Sequence, residues 1–310
     1  MRRHQVFMVT ALVWGGCAIV LVAHWDQSRE IWHSLTRVPL WSLAVAFLLV
    51  LGQWGFQSLR LWAILPRGVA ASLARTAYAF AIGEWVNIFI PARGGDALKV
   101  VLLNRAAGVR PMTLPTAAGA VLADKIVDGG TLFLLCAAIG LSGLLRGGIA
   151  ARLEHPVVVL AAVAGGALLV AVVLECTRGF ERVTPLRNDL VKGLSSLADS
   201  SKTLVSLSFS LGAWLAEVLA IRVLCAALGY SLSPPQIVLS LLTLNLGISV
   251  PISVANLGVY ETVLAFALSQ SGVPLPAAVA LATLHHGLEL LATNAGAATV
   301  SLCRTLSRER

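Results

Sequence analysis

Charge is what this chain has least of. Only 12% of its 310 residues are Asp, Glu, Lys or Arg, against 57% hydrophobic residues, and the mean hydropathy is +0.84. So little charge excludes a soluble globule and indicates an integral membrane protein. Long polar stretches between the apolar runs are missing too, so no soluble domain is expected within these residues. Cys17, Cys136 and Cys225 sit in apolar runs and Cys176 and Cys303 at run ends. They have neither metal-ligand nor disulfide-framework spacing and read as small core residues. No Walker loop, dinucleotide fingerprint or nucleophile elbow occurs, so nothing points to ATP use. Neither a cofactor nor an enzymatic activity is expected.

What the chain does have is a succession of apolar runs. A membrane-crossing helix needs about 20 apolar residues. Six runs fit: roughly 5–23, 40–59, 115–144, 155–175, 204–229 and 277–302. The N-terminal run is long for a signal sequence, and His24-Trp25-Asp26 is a poor cleavage site, so it reads as an uncleaved first span. Trp25, Trp32, Trp41 and Trp62 near run ends read as interfacial anchors. The segments 76–91, 94–108, 235–251 and 257–271 are too short to cross well and pair into two helical hairpins, read as re-entrant. The fold class is therefore an all-α polytopic membrane protein: about six spanning helices plus two oppositely oriented re-entrant hairpins.

Cation placement orients it. With the N-terminus cytoplasmic, inside segments carry 17 of the 23 Lys and Arg and outside segments four: Arg29, Arg37, Arg146 and Arg152. Lys125 and Arg222 fall within spans. That asymmetry is the positive-inside pattern. It puts both termini in the cytoplasm and accounts for the net charge of +8 without a nucleic-acid partner. The same topology divides the chain into residues 1–150 and 151–310, each running span, span, hairpin, span, in opposite orientations. Such an inverted repeat is the pattern of alternating access.

The two hairpins share a motif. In 83–96 and in 245–261 a short apolar run meets Pro (Pro91, Pro251), then Gly (Gly94 and Gly95, Gly258), then an acid (Asp96, Glu261), then a second apolar run. A backbone broken inside a bilayer must be buried in protein or line a wet cavity. Nine charged residues fall in membrane segments: Glu84, Asp96, Asp124, Lys125, Asp128, Glu217, Arg222, Glu261 and Glu289. At about 3 kcal/mol each, exposing all nine to lipid costs on the order of 25 kcal/mol. They should converge on one another, on water or on a substrate.

Arg93 and Lys99 flank a half-helix start at Gly95, whose free N–H groups suit an anion such as a phosphate headgroup. The plainer reading makes them positive-inside anchors, with Asp96 an N-cap. Asp124 and Asp128 are i,i+4 on one face, and Lys125 and Asp128 are i,i+3 and able to pair. Glu217 and Arg222 need partners elsewhere, Lys125 being a candidate for Glu217. Glu261 suits a helix N-terminus. His285 or His286 with Glu289 makes a candidate proton relay or a packed, hydrogen-bonded histidine. Zinc is not expected, because two ligands on one helix without a third cluster are a weak signal.

Three motifs in order, Asn87-x3-Pro91-x-Arg93-x-Gly95-Asp96-x2-Lys99, Asp124-Lys125-x2-Asp128 and Pro251-x6-Gly258-x2-Glu261, resemble the transmembrane region of lysylphosphatidylglycerol synthases and its stand-alone, flippase-like relatives. The resemblance spans residues 80–300. It departs at His285-His286, where an Arg is expected, and at Asp124, where Glu is common. It implies a bacterial or archaeal cytoplasmic membrane and a transporter or flippase for an anionic or amphipathic lipid: a phospholipid, aminoacyl-phospholipid, glycolipid or hopanoid-type lipid. The implied partners are membrane lipids and a lipid synthase encoded separately. Rival readings are a membrane-embedded transferase acting on a lipid carrier and a non-catalytic partner of a lipid synthase.

Overall fold

The computed structural model describes residues 25–66, 71–90, 94–106, 112–145, 184–249 and 253–306. These form ten helices: α1 (Trp25–Arg37), α2 (Leu40–Ala63), α3 (Leu73–Phe89), α4 (Gly94–Ala106), α5 (Leu114–Leu145), α6 (Thr184–Leu194), α7 (Ser200–Ala227), α8 (Pro234–Ile248), α9 (Val259–Gln270) and α10 (Leu275–Leu306). The expected spans over 5–23 and 155–175, and the break residues Pro91 and Pro251, lie outside the described residues, as does Arg93.

Three of the described helices, α2, α7 and α10, are long and apolar enough to cross a membrane. At 1.5 Å per residue even α2 reaches about 36 Å, beyond the roughly 30 Å of a hydrocarbon core. α5 has the length, at 32 residues, and carries Asp124, Lys125 and Asp128 in its middle. Leu204, Leu211, Leu215 and Leu219 form an exposed stripe along α7, the apolar outer face that a lipid environment allows.

Capping chemistry fixes several boundaries. Ser72 Oγ accepts the N–H of Arg75 at 3.3 Å to start α3. Pro234 opens α8, with the Ser233 N–H donating to Gln236 Oε1 at 2.9 Å. The chain turns out of α9 at Gly272, φ 94°, the left-handed stop that glycine permits. Two helices, α1 and α6, fall between the apolar runs. α1 packs on α10, and α6 docks on α5 where Gly119 meets Gly193.

α2 and α7 run antiparallel in long contact. Lys202 donates to the carbonyl of Leu65, Arg60 to Ser210 and Gln53 to Glu217. α3 with α4 and α8 with α9 are antiparallel hairpins, matching Gly83 with Lys99 and Asn87 with Gly95 in one, and Gln236 with Ser271 and Gly247 with Val263 in the other. α10 shows their directions. Arg304 lies over Tyr78 near the base of the first hairpin, and Trp85 bonds Asn294 further along. The second hairpin has its base at the start of α10 and its tip by His285 and His286. The tips therefore point at each other, and the turn Val254–Asn256 touches α3. Each hairpin has its own hydrophobic core. One is built around Phe80, Leu103 and Ala120, the other around Leu241, Leu264 and Leu281.

Candidate functional site

Between the tips lies a cavity of about 630 Å³, bounded by α2, α3, α5, α7, α8, α9 and α10 and by the tip residues Ser253, Ala255 and Asn256. Its apolar wall includes Leu132, Phe133, Leu242 and Ile248, and its polar wall includes Gln53, Arg60, Glu84, Lys125, Glu217 and Glu289.

The first hairpin holds a four-charge box. Gly83 and Gly95 let α3 and α4 approach closely, since a Cβ on Gly95 would overlap the Gly83 carbonyl oxygen. Asn87 on α3 accepts the Gly95 N–H at 2.8 Å, capping α4 from across the hairpin. It also donates to Glu84 at 3.2 Å. Lys99 is 1% exposed and donates to Glu84 and, at 2.8 Å, to Asp96, with the Phe80 ring centroid 5.0 Å from its Nζ. Lys125 completes the box from α5, 3.9 Å from Glu84 and 3.7 Å from Asp96. Lys99 is therefore an interior ion-pair residue rather than a surface anchor, and Asp96 pairs with it.

Arg60 anchors the next group, and the sequence reading missed it. It falls among the 17 Lys and Arg of the expected inside segments, at the end of the run 40–59. It is 1% exposed and forks onto Asp124, with Nε to Oδ1 at 2.7 Å and Nη2 to Oδ2 at 3.3 Å. It also donates to Asp128 and to Ser210 Oγ at 3.3 Å. The signal was present, because Gln53, Gln57 and Arg60 repeat at helical spacing and all line the cavity. Asp124 and Asp128 do share one face. Lys125 pairs with Glu84 and Asp96 across the first hairpin rather than with Asp128, which Arg60 takes. With Arg60 and Lys99 buried, 15 of the 17 cations assigned to the expected inside segments remain, against four in the expected outside segments.

In the second hairpin the backbone leaves ordinary space at the tip. Ala255 and Asn256, both lining the cavity, have φ of 54° and 55°, and Gly258 has φ 82°. The Gly258 N–H donates to Glu261 Oε2 at 2.7 Å, so Glu261 does cap α9. Its other oxygen meets His286 Nδ1 at 2.7 Å. His286 stacks on Tyr260 at 4.2 Å between centroids, and the Tyr260 hydroxyl meets His285 Nδ1 at 2.7 Å. Glu289 pairs with neither histidine. It lies with His285 and Glu217 in a cluster whose ligand atoms are within 4.8 Å of one another. Glu217 is met by Gln53 Nε2 at 2.9 Å, not by Lys125. Arg222 is exposed on α7 and outside the cavity wall. The expected convergence therefore holds for the other charged residues but not for Arg222.

Among the described residues this interior set holds three Lys and Arg (Arg60, Lys99, Lys125) against seven carboxylates (Glu84, Asp96, Asp124, Asp128, Glu217, Glu261, Glu289).

Long apolar helices around a charged cavity between two facing hairpins define a helical, multi-pass membrane protein. The chain belongs to the lysylphosphatidylglycerol synthase transmembrane-region family: the family model described as "Lysylphosphatidylglycerol synthase TM region" matches residues 8–296. No curated protein and no solved structure matches it.

Proposed function

We propose that this protein moves a lipid across its membrane, passing the headgroup through the cavity between the hairpin tips while the acyl chains stay in the bilayer. One observation carries this reading. The cavity is lined by both apolar and charged side chains, and the non-helical backbone of a hairpin tip, at Ala255 and Asn256, forms part of its wall. Irregular backbone at membrane depth is tolerated where it lines such a cavity. The headgroup class that suits the charges is a phosphate carrying an amine. Lys125 supplies the cation for the phosphate: it lines the cavity, its side chain is 32% exposed, and its acids stand 3.7–3.9 Å away. Arg93, next to the start of α4, is a second phosphate ligand in this proposal. Glu84 and Asp128, which line the cavity with side chains 25% and 24% exposed, receive the amine. Both hairpins are re-entrant halves of an inverted repeat, and alternate opening of its two sides supplies the path.

Purified protein in vesicles with a fluorescent phosphatidylethanolamine, read by loss of signal to a membrane-impermeant quencher, tests this. Wild type should exceed empty vesicles. Lys125→Ala and Arg93→Ala should each lose at least tenfold, and Lys125→Arg should retain most activity. A purely anionic phosphatidylglycerol probe should move more slowly. Full activity in Lys125→Ala would remove the cavity cation from the mechanism.

A further inference from the structure

Glu217 on α7 and Glu289 on α10 both line the cavity. No Lys or Arg pairs with either among the described residues. Gln53 donates to one oxygen of Glu217 at 2.9 Å, and Glu289 Oε1 is buried without a hydrogen-bond partner. Two carboxylates in such a setting call for a positive charge. The third member of the cluster shows which kind. His285 is 1% exposed and, one helical turn before Glu289, stands on the same face of α10. Its Nδ1 lies 2.7 Å from the Tyr260 hydroxyl, and its Nε2 is buried with no partner. With the ring proton on Nδ1 donated to Tyr260, Nε2 presents a lone pair. Metal-binding histidines are oriented in this manner, the far N–H held by an oxygen.

We propose that Glu217, His285 and Glu289 bind a divalent transition-metal ion of the zinc class, with a remaining coordination position turned to the cavity. One imidazole and two carboxylates suit zinc. Calcium and magnesium take six or more oxygens and do not call for an imidazole. The ligand atoms lie within 4.8 Å of one another, and a tetrahedral zinc site brings them to about 3.3 Å. Rotation of the two glutamate side chains covers that difference. A lipid amine entering from the cavity reaches Glu289 but not the enclosed His285. The weak two-ligand signal on α10 becomes a three-ligand set because α7 delivers Glu217 from 68 residues away in sequence.

The test does not depend on lipid transport. Protein purified with a non-histidine tag and without chelator is dialysed against micromolar zinc and analysed by elemental mass spectrometry. The expected result is one zinc per chain, with affinity reduced at least tenfold in Glu217→Gln, His285→Gln and Glu289→Gln and unchanged in His286→Gln and Cys303→Ser. Cobalt loaded into the wild type gives a second reading that needs no variant. Weak visible bands of a nitrogen–oxygen site support the proposal, and an intense thiolate band places the metal at a cysteine and overturns it. Wild-type protein that binds no more zinc than a variant carrying Glu217→Gln, His285→Gln and Glu289→Gln together overturns it as well, leaving a shared proton as the charge between the two glutamates.

Discussion

Arg60 should be the most costly single cation to remove. It forks onto Asp124, also bonds Asp128 and Ser210, and is almost completely enclosed. Arg60→Met leaves the length of the side chain but strands Asp124, itself 2% exposed, and takes from Asp128 its ion-pair partner. Breaking a buried pair from one side costs about 3–5 kcal/mol, which lowers the melting temperature of a chain this size by roughly 10 °C. Neutralising the stranded acids should recover at least half of that loss, so Arg60→Met combined with Asp124→Asn and Asp128→Asn should melt above Arg60→Met alone. Arg60→Lys should fall between, because an ammonium cannot fork onto Asp124 while holding Asp128. Arg222→Ala, on the exposed face of α7, should stay within about 0.5 kcal/mol of wild type. The assay is the fraction of detergent-solubilised protein still monodisperse after heating, at matched concentration. An Arg60→Met protein that melts with wild type, or a triple variant no better than the single one, would refute the reasoning.

Two further outcomes follow. Gly95→Ala places a Cβ against the Gly83 carbonyl oxygen and the Asn87 amide; it should splay α3 from α4 and destabilise by about 1–3 kcal/mol, read by the same heating assay, whereas wild-type stability would contradict the close approach. Single cysteines at Lys192 and Arg105 should react with an impermeant maleimide only from the cytoplasmic side and those at Arg29 and Ser233 only from outside, so labelling of Lys192 and Ser233 from one side would end the inverted-repeat topology.

Hydropathy and Pro/Gly breaks were enough to place most of the frame. The run 40–59 became Leu40–Ala63, 115–144 became Leu114–Leu145, 204–229 became Ser200–Ala227 and 277–302 became Leu275–Leu306. Both hairpins stand where short paired runs were read. Period and length are properties of a segment and survive without knowledge of its neighbours. Ion-pair partners are set by helix rotation and register between segments far apart in sequence. Arg60 was hidden for this reason. Position at a run end says anchor, and only the packing of α2 against α5 turns the side chain onto Asp124 and Asp128. Likewise His285 and His286 look equivalent in sequence, yet the rotation of about 100° between neighbouring helical residues sends the first to Tyr260 beside the Glu217–Glu289 cluster and the second to Glu261. α1 and α6 escaped because polar, cation-bearing stretches between apolar runs read as loops; α6 forms by docking on α5, a tertiary effect that outweighs local composition.

The central claim is that a lipid headgroup passes between the two hairpin tips, and blocking that space tests it most directly. With the five native cysteines replaced by alanine, a single cysteine is placed at Ser253 or Asn245, both in the cavity wall, and at Arg222 as the exposed control. Each protein is labelled to completion with a bulky maleimide and reconstituted for the vesicle assay. We expect translocation to stop in the labelled Ser253 and Asn245 proteins and to continue in the labelled Arg222 protein. Fully labelled Ser253 and Asn245 proteins that still move lipid at the unlabelled rate would contradict a path between the hairpins.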